Sequence, residues 1–318
     1  MSGITVGVDV GGTKIQAVAL PDEGVAGSAR VPTPLEGVEA LVAAIAEGAR
    51  TALAAAGSGG LAAVGIGMPG TIDTAAGTVA NSPNMPGFER ATPVALARMV
   101  SEALGGVPVK MGNDVDVAVL GEHRLGAGRP YRDLLGVWVG TGVGGGLILG
   151  GQPHRGGGAA GELGHMLVKP EGRLCSCGRR GHLEAYAGRG QMEARARQLE
   201  SKGRRTILFR LAEKRGKPRV SSSVWLEAIE RGDRLAIRLV DDAVWALGVA
   251  LASVQNLLDL EAIVIGGGLG DRLGVPFLER VAEAMRPQLF VSERPPAMLP
   301  TAFRDLSGAV GAAVLARE

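Results

Sequence analysis

The chain contains 318 residues and has a formal net charge of +2, from 34 lysines and arginines and 32 aspartates and glutamates. At about 150 residues per domain, this length predicts two domains, each large enough to bury its own core. The balanced charge, without long runs of one sign, argues against a nucleic-acid or membrane surface. Two cysteines, and an amino terminus without a basic region and apolar helix, predict a cytoplasmic protein without a signal peptide.

Strand and helix patterns alternate in the first part of the chain. Ile4–Val10 and Ile15–Leu20 are apolar runs separated by Gly11-Gly12-Thr13, which predicts a β-hairpin with a glycine turn. The next predicted elements are a helix at Val38–Ala56, a strand at Leu61–Gly67, a helix at Pro93–Leu104, a strand at Val107–Met111 and a helix at Val115–Leu125.

The second part of the chain begins on the same plan. Residues 136–150, GVWVGTGVGGGLILG, repeat the order of residues 6–20, VGVDVGGTKIQAVAL: an apolar run, a polar glycine turn and a second apolar run. Further elements are predicted as helices at Arg189–Lys202, Trp225–Glu230, Arg234–Leu258 and Ser307–Ala316, and as a strand at Ala262–Ile265. Asp233 is expected to cap the long helix, whose broad apolar surface suits a core or a dimer interface.

The repeated plan predicts two similar α/β halves. We place a smaller amino-terminal domain at residues 1–118, with the carboxy-terminal helix, residues 307–318, packed back on it. A larger domain then spans residues 119–306 and carries the dimer interface.

Both cysteines lie in a short segment that also contains two of the four histidines. His165, Cys175, Cys177 and His182 follow the spacing H-x9-C-x-C-x4-H, and thiolate sulfur and imidazole nitrogen are the ligands that tetrahedral zinc prefers. The alternative is two free thiols beside two unrelated histidines, while a disulfide between alternate residues of an extended segment is disfavoured. The pattern therefore predicts a structural zinc site, and acidic residues at both margins suggest that it supports a catalytic region.

Three glycine turns follow predicted strands, and the backbone N–H groups of such turns suit phosphate binding. Asp9 precedes the first turn, where it would hold magnesium through water. Lys14 would either contact a phosphate or be a solvated hairpin lysine. The residues predicted to bind a nucleotide are Asp9, Gly11, Gly12, Thr13, Lys14, Thr141, Gly142, Gly266, Gly267 and Gly268. No G-x-x-x-x-G-K-[ST] and no G-x-G-x-x-G opening a helix is found, which excludes a Walker P-loop and a dinucleotide fingerprint.

Together these motifs resemble those of sugar kinases of the ROK family (repressor, open reading frame, kinase), along the whole chain. The matching segments are DVGGTK at 9–14, GMPG at 67–70, NSPNMPGF at 81–88, ND at 113–114, GTGVGGG at 140–146, GELGH at 161–165 and CSCGRRGHLE at 175–184. The zinc loop of the family usually carries three cysteines and one histidine. Here His182 stands at the third cysteine position, and imidazole can replace thiolate at zinc.

The resemblance implies an α/β fold of two ribonuclease-H-like, actin-like ATPase domains around a central cleft, with the zinc loop in the second domain. It implies phosphorylation of a hexose by ATP with Mg²⁺, most simply of glucose to glucose 6-phosphate, and we expect a homodimer or homotetramer. Asp114 resembles the catalytic base of the family, and its alternative role is to cap a helix. Asp116 is expected to have only a secondary role in catalysis. The residues that match sugar ligands, besides Asp114, are Gly70, Asn84, Asn113, Glu162, His165 and Glu184. His165 would serve both zinc and a sugar hydroxyl.

Other functions of ROK-like proteins predict different sequence features. A ROK repressor would carry a DNA-binding helix-turn-helix before the first glycine turn, and a non-catalytic sugar sensor would be expected to lack Asp114 or the phosphate turns. Kinases for N-acetylmannosamine, N-acetylglucosamine, mannose, fructose or allose stay open, because these sugars share most of the hydroxyl ligands. The zinc loop is expected to control sugar affinity more than ATP affinity, since the phosphate turns lie elsewhere in the sequence.

Overall fold

The computed structural model describes residues 3–22, 24–57, 59–82, 85–88 and 92–318. Contacts divide the chain into two compact units: Met1–Arg129 with Asp305–Glu318, and Pro130–Arg304. The predicted boundary after residue 118 needs correction, because it falls inside a helix, Asp114–Arg124, that belongs entirely to the first unit. A helix is one continuous hydrogen-bonded ladder, so the division falls in the segment that follows it.

Each unit contains a five-stranded mixed sheet. The strands found among the described residues are β1 (Ile4–Val10), β2 (Lys14–Leu20), β3 (Gly27–Pro32), β4 (Leu61–Met68), β5 (Thr71–Asp73), β6 (Thr78–Ala80), β7 (Val109–Asn113), β8 (Leu134–Val139), β9 (Val143–Leu149), β10 (Gln152–His154), β11 (Ala262–Gly266) and β12 (Ala297–Pro300). The strand order is β3-β2-β1-β4-β7 in the first unit and β10-β9-β8-β11-β12 in the second.

The two sheets also agree in strand direction. The pairs β1–β2 and β2–β3 are antiparallel, while β1–β4 and β4–β7 are parallel. The second sheet repeats this, with antiparallel β8–β9 and β9–β10 and parallel β8–β11 and β11–β12. The repeat predicted from the two hairpins is therefore confirmed by strand order and direction.

Helices pack against these sheets. Those found among the described residues are α1 (Val38–Ala55), α2 (Leu96–Ala103), α3 (Asp114–Arg124), α4 (Glu184–Ala187), α5 (Arg189–Ser201), α6 (Leu208–Lys214), α7 (Ser222–Glu230), α8 (Arg234–Leu258), α9 (Gly267–Met285) and α10 (Ser307–Arg317). The predicted cap of α8 is confirmed, because Asp233 Oδ1 accepts hydrogen bonds from Leu235 N and Ala236 N, both at 2.9 Å. Across the described ranges, no helix combines the length and the apolar character needed to cross a bilayer.

Each unit has its own apolar core. In the first unit, α1 buries Leu41, Ile45 and Ala49 at helical spacing against the strands. The small-residue helix α10 packs in this unit against α3, β1 and β4. In the second unit, α8 is a core helix, with Leu239 and Leu247 fully buried.

The largest difference from the predicted elements is α9. The sequence indicates only a glycine turn after β11, but a helix begins at Gly267 and runs to Met285, with a break at Gly274, where φ is 65° and ψ is −155°. Pro276 follows the break by two residues, in the first turn of the second helical part, where its missing N–H leaves no backbone partner unpaired.

Candidate functional site

The carboxyl ends of β1, β4 and β7 meet at one edge of the first sheet. Parallel pairing places Asp9 beside Gly67 and Gly67 beside Gly112, and Asn113 and Asp114 follow directly along the chain. In α/β folds, ligands bind preferentially outside the carboxyl ends of parallel strands. The structure therefore brings Asp9 and the predicted Asn-Asp pair to the same edge.

The first glycine turn lies directly beyond β1. Gly11 N donates to Lys14 O at 3.0 Å, and Thr33 Oγ1 donates to the Gly11 carbonyl at 2.6 Å. The predicted hairpin is confirmed, with Gly12 and Thr13 at its tip. The turn is therefore fixed both by its own hydrogen bond and by the segment after β3.

Lys14 forms an ion pair that neither of its two predicted roles describes. Its Nζ lies 3.2 Å from Asp305 Oδ2, and the two side chains are 28% and 66% exposed. Exposed ion pairs contribute little to stability, so this lysine can exchange its partner at low cost.

The surroundings of Asp9 perturb the ionisation of its carboxyl group. It is half-buried, and burial, followed by the negative charge of Asp114, raises the pKa of Asp9 from 3.8 to about 7. Lys14 acts in the opposite direction and Asp305 adds to the rise. Two neighbouring carboxylates with unfavourable mutual repulsion are a donor set that fits a divalent cation.

The first turn of α10 lies against Asp9, a contact that sequence reasoning missed. A Cβ added to Gly308 would lie 2.6 Å from Asp9 Cγ, closer than real side-chain contacts. Any larger residue at this position would therefore displace the carboxylate. The only signal in the sequence is the small-residue composition of the helix.

The Asn-Asp pair divides its roles between its two members. Asn113 Oδ1 accepts from Val115 N at 2.9 Å and from Asp116 N at 3.3 Å, which makes Asn113 the amino-terminal cap of α3. Asp114 is the first residue of the helix. Helix capping, the alternative role considered for Asp114, therefore belongs to Asn113.

Two other predicted sugar ligands belong to the first unit. Gly70 lies between β4 and β5 with a φ of 122°, in the region that favours glycine. Asn84 lies outside the described residues, so its role stays a prediction.

In the second unit, β8 and β9 enclose the second glycine turn. Gly140 N donates to Gly142 O at 2.9 Å. Arg189, at the start of α5, holds this turn: its backbone N donates to Gly140 O at 3.0 Å, and its Nη2 donates to Thr141 Oγ1 at 3.0 Å. Burial lowers the pKa of the Arg189 guanidinium. Sequence reasoning missed Arg189, because this contact spans 48 residues and no local pattern marks it.

The third predicted glycine turn is the junction between β11 and α9. Gly266 ends the strand, and Gly267 and Gly268 begin the helix. Gly267, with a φ of 82°, lies against the backbone of Val139, which is the last residue of β8. The structure therefore brings the second and third glycine segments together within this unit.

The four predicted metal ligands converge. The ligand atoms of His165, Cys175, Cys177 and His182 all lie within 4.8 Å of one another. Cys177 Sγ is 3.2 Å from His182 Nδ1, and the two imidazole ring centres are 5.4 Å apart. A tight turn presents the thiols, since Gly178 N donates to Cys175 O at 3.0 Å. Two sulfurs and two imidazoles at these distances fit a tetrahedral zinc ion.

The protonation states of the thiol and imidazole groups in this cluster also affect metal binding. Burial raises the pKa of the Cys175 thiol, so binding a metal requires loss of a proton that the thiol otherwise holds. Burial and the neighbouring His165 lower the pKa of His182, which favours the neutral imidazole that binds metal.

Glu162 lies beside the cluster. The short helical turn Leu163–His165 follows it, and Glu162 Oε2 is 3.7 Å from His165 Nε2. Its side chain is 64% exposed, so the carboxylate can meet a ligand from solvent.

Glu184 connects the Cys/His loop to the second glycine turn. Ser176 Oγ donates to Glu184 Oε1 at 2.8 Å, and Val143 N donates to Glu184 Oε2 at 3.0 Å. A Cβ on Gly142 would lie 2.3 Å from the same oxygen, so only glycine leaves room for this contact. Glu184 therefore links the Cys/His loop to the second glycine turn, although the two segments lie apart in the sequence, and the Val143 N–H donates to this carboxylate. That the loop controls sugar affinity more than ATP affinity stays a prediction.

Comparisons with known proteins agree along the whole chain. Residues 5–318 match the sequence profile of the ROK family. A glucokinase from Streptomyces coelicolor is 36% identical over 327 residues, covering 99% of this chain and 98% of that protein, and an N-acetylmannosamine kinase from Yersinia pseudotuberculosis is 30% identical over 317 residues, covering 99% of both. The crystal structure of a ROK family glucokinase from Streptomyces griseus, in complex with glucose and AMPPNP, is similar with a TM-score of 0.82 and 34% identity, covering 99% of both chains. The chain belongs to the ROK family.

Proposed function

We propose that the protein transfers the γ-phosphoryl group of ATP to a hydroxyl group of a hexose, most simply the 6-hydroxyl of glucose. The observation that carries this proposal is that Asp114 and Asp9 lie at the same edge of the first sheet, with capping of α3 assigned to Asn113. The full-length similarity to glucokinases supports the same activity.

In the proposed reaction, Asp114 acts as general base. The sugar hydroxyl oxygen forms a bond to the γ-phosphorus while the bond from that phosphorus to the β–γ bridging oxygen breaks, and the hydroxyl proton passes to the Asp114 carboxylate. Phosphoryl transfer depends mostly on positioning and on electrostatic stabilisation, so a single well-placed base is sufficient protein chemistry. Asp116, two residues further along α3, is assigned a secondary role.

Nucleotide binding is assigned to the three glycine segments. The N–H groups at Gly11, Gly12 and Thr13, with Thr141 and Gly142, would hold the phosphates, and adenosine would lie along Gly266–Gly268. Arg189 supports the second turn through its hydrogen bond to Thr141. Lys14 would exchange Asp305 for a phosphate oxygen.

Sugar binding is assigned to amide, carboxylate and imidazole groups, which suit hydroxyls that both donate and accept hydrogen bonds. The assigned residues are Gly70, Asn84, Asn113, Glu162, His165 and Glu184. The Oδ1 of Asn113 is used by the cap, so its Nδ2 is the atom that would donate to a sugar oxygen. Glu184 is held in place by Ser176 and Val143, which fixes its carboxylate before a sugar arrives.

Two metals fit the residues present. Asp9, whose carboxyl group is exposed to the negative charge of Asp114, would hold magnesium through water, and magnesium would supply charge neutralisation for the phosphates. The Cys2His2 cluster would hold zinc, which supplies a structural cross-link in the loop that carries His165 and Ser176. We also propose a homodimer or homotetramer, which light scattering tests directly.

A substrate panel tests the activity. Purified protein with ATP and Mg²⁺ is expected to phosphorylate glucose with the highest kcat/KM among glucose, mannose, fructose, allose, N-acetylmannosamine and N-acetylglucosamine. Coupled measurement of ADP release gives the ranking. No ATP consumption with any of these sugars, together with measurable sugar binding, would instead indicate a sugar sensor.

A kinase for an N-acetylated hexosamine is the second candidate. The observation that favours it is the similarity to an N-acetylmannosamine kinase over 99% of both chains. A kcat/KM at least tenfold higher for N-acetylmannosamine than for glucose would decide for this candidate.

Asp9→Asn is expected to stabilise the metal-free protein while abolishing most kinase activity. The folded protein holds the Asp9 proton up to about pH 7, whereas the unfolded chain releases it near 3.8, so wild-type stability falls as the pH rises between these values. Asparagine carries no charge and avoids that loss. Since one pKa unit corresponds to about 1.4 kcal/mol, the variant should melt several degrees higher at pH 8, with a smaller advantage at pH 5.

Thermal melting in EDTA at pH 5, 6, 7 and 8 measures this difference. Asp241→Asn is the matched control, because Asp241 is an exposed partner of Arg280 in the other unit, and its melting curves should follow wild type at every pH. An Asp9→Asn variant whose melting temperature tracks wild type from pH 5 to 8 would contradict the assigned ionisation.

A further inference from the structure

A groove lined by arginines lies on the second unit, where the segment before α6 meets the start of α8. Its volume is about 760 Å³. The arginines that line it are Arg204, Arg205, Arg210, Arg231 and Arg234. The activity proposed above makes no use of this groove.

The surrounding sequence is strongly basic. Residues 202–219 contain eight lysines and arginines and a single acidic residue, Glu213, although the whole chain has a net charge of only +2. The balanced composition of the chain therefore conceals one local concentration of positive charge. Such a concentration of basic residues raises the local positive potential and favours the binding of anions.

Most of these arginines lack an acidic partner. Arg231 pairs with Glu227 at 2.6 Å. Within the described part of the chain, the side chains of Arg204, Arg205, Arg210 and Arg234 form no ion pair or hydrogen bond. Guanidinium groups without partners present donors that match phosphate oxygens in bidentate pairs.

The two acidic residues that line the groove, Asp233 and Glu200, offset only part of the charge of its five arginines. Asp233 is buried and its carboxylate accepts four hydrogen bonds: from Leu235 N and Ala236 N at 2.9 Å, from Thr206 Oγ1 at 2.8 Å and from Ile207 N at 2.6 Å. These bonds fix the loop before α6 to the start of α8, so the floor of the groove is rigid. Glu200 is the other acidic lining residue and is exposed.

The start of α8 adds to the positive potential. Arg234 is the first residue of this 25-residue helix, and its first turn contains no acidic residue. The Asp233 carboxylate already accepts from the N–H groups of Leu235 and Ala236 at this end, so the side chain of Arg234, and not the helix terminus, adds to the positive charge of the groove.

We propose that this groove binds a small anion with two or more phosphate groups. The four arginines without an acidic partner offer more donors than one phosphate group can accept, and the volume of about 760 Å³ lies within the range of about 300–1,000 Å³ that small-molecule sites occupy. A nucleic acid would require a basic surface that extends beyond this one open groove.

Calorimetric titration of the full-length protein with inorganic tripolyphosphate tests the proposal. One tripolyphosphate per chain is expected in this groove, with an affinity that falls at least about tenfold in Arg204→Gln/Arg210→Gln, because each charge-assisted hydrogen bond contributes strongly to binding. Inorganic phosphate should bind at least about tenfold more weakly than tripolyphosphate to the wild type. The matched control is Arg280→Gln/Arg286→Gln, which removes the same charge from the α9 region and should keep the wild-type affinity.

Three results would overturn the proposal. The first is equal tripolyphosphate affinity in the groove variant and in the wild type, which would locate the binding in the glycine turns. The second is equal affinity for phosphate and tripolyphosphate. The third is groove-dependent binding of a single-stranded oligonucleotide more tightly than tripolyphosphate. Arg205→Gln repeats the tripolyphosphate titration with a single groove arginine replaced. Melting temperatures that match the wild type confirm that each variant folds.

Discussion

Asp114→Asn is expected to lower kcat by about 10²–10⁴-fold, the usual contribution of general-base catalysis, while sugar affinity changes little. The amide has the shape of the carboxylate but cannot accept the hydroxyl proton. The fold should be preserved, because Asn113 and not Asp114 caps α3. Steady-state kinetics gives kcat, and calorimetric titration with sugar gives the affinity.

Asp116→Asn is the matched control, since it makes the same chemical change two residues along the same helix. We expect its kcat to stay within about tenfold of wild type, because Asp116 does not accept the hydroxyl proton. If Asp114→Asn retained a wild-type kcat, the proposed base would be wrong. An equal loss in both variants would point to general electrostatics at this sheet edge.

Features that depend on neighbouring residues were predictable from the sequence. The hairpin around Gly11 and the cap at Asp233 each follow from a short pattern whose physical cause is local: turn geometry in the first case and orphan N–H groups in the second. The similarity of the two units was also predictable, because the same hairpin pattern forms the first two strands, in chain order, of each sheet.

The helix α9 shows how composition can mislead. Its start is glycine-rich and contains Pro276, both typical of turns. However, Phe277, Val281 and Met285 recur at four-residue spacing and are buried, so packing against the core outweighs the weak local propensity. The apolar spacing was the available signal.

The contacts that organise the candidate site are long-range, and no local sequence pattern indicates them. Glu184 reaches Val143 across 41 residues, and Arg189 reaches Thr141 across 48. The approach of Gly308 to Asp9 joins the two ends of the first unit. The family motifs identified most of the residues at these sites, but only the tertiary structure shows that one carboxylate connects the Cys/His loop to the second glycine turn.

Loss of the metal in Cys177→Ala is expected to raise KM for sugar by tenfold or more and KM for ATP by a smaller factor of about two to ten. Without its cross-link, the loop that carries His165 must be ordered at each binding event, at roughly 1–2 kcal/mol per backbone residue fixed. KM for ATP is expected to rise because Glu184 accepts hydrogen bonds from both Ser176 and Val143. A disordered loop therefore weakens the hydrogen bonding that holds the second glycine turn. Steady-state kinetics at saturating levels of the other substrate separates the two KM values.

Ser176→Ala distinguishes the two contributions, because it keeps all four metal ligands and removes only the hydrogen bond to Glu184. It should retain one zinc per chain and raise KM for ATP, and, because Glu184 is also an assigned sugar ligand, it should raise KM for sugar, but by less than Cys177→Ala does. Metal analysis should show zinc lost in His182→Ala and kept in His154→Ala, whose histidine is exposed and outside the cluster. If Cys177→Ala lost its metal and melted at a lower temperature with both KM values unchanged, the ion would serve stability alone. A rise confined to the ATP KM in that variant would instead contradict the role assigned to the loop in sugar binding.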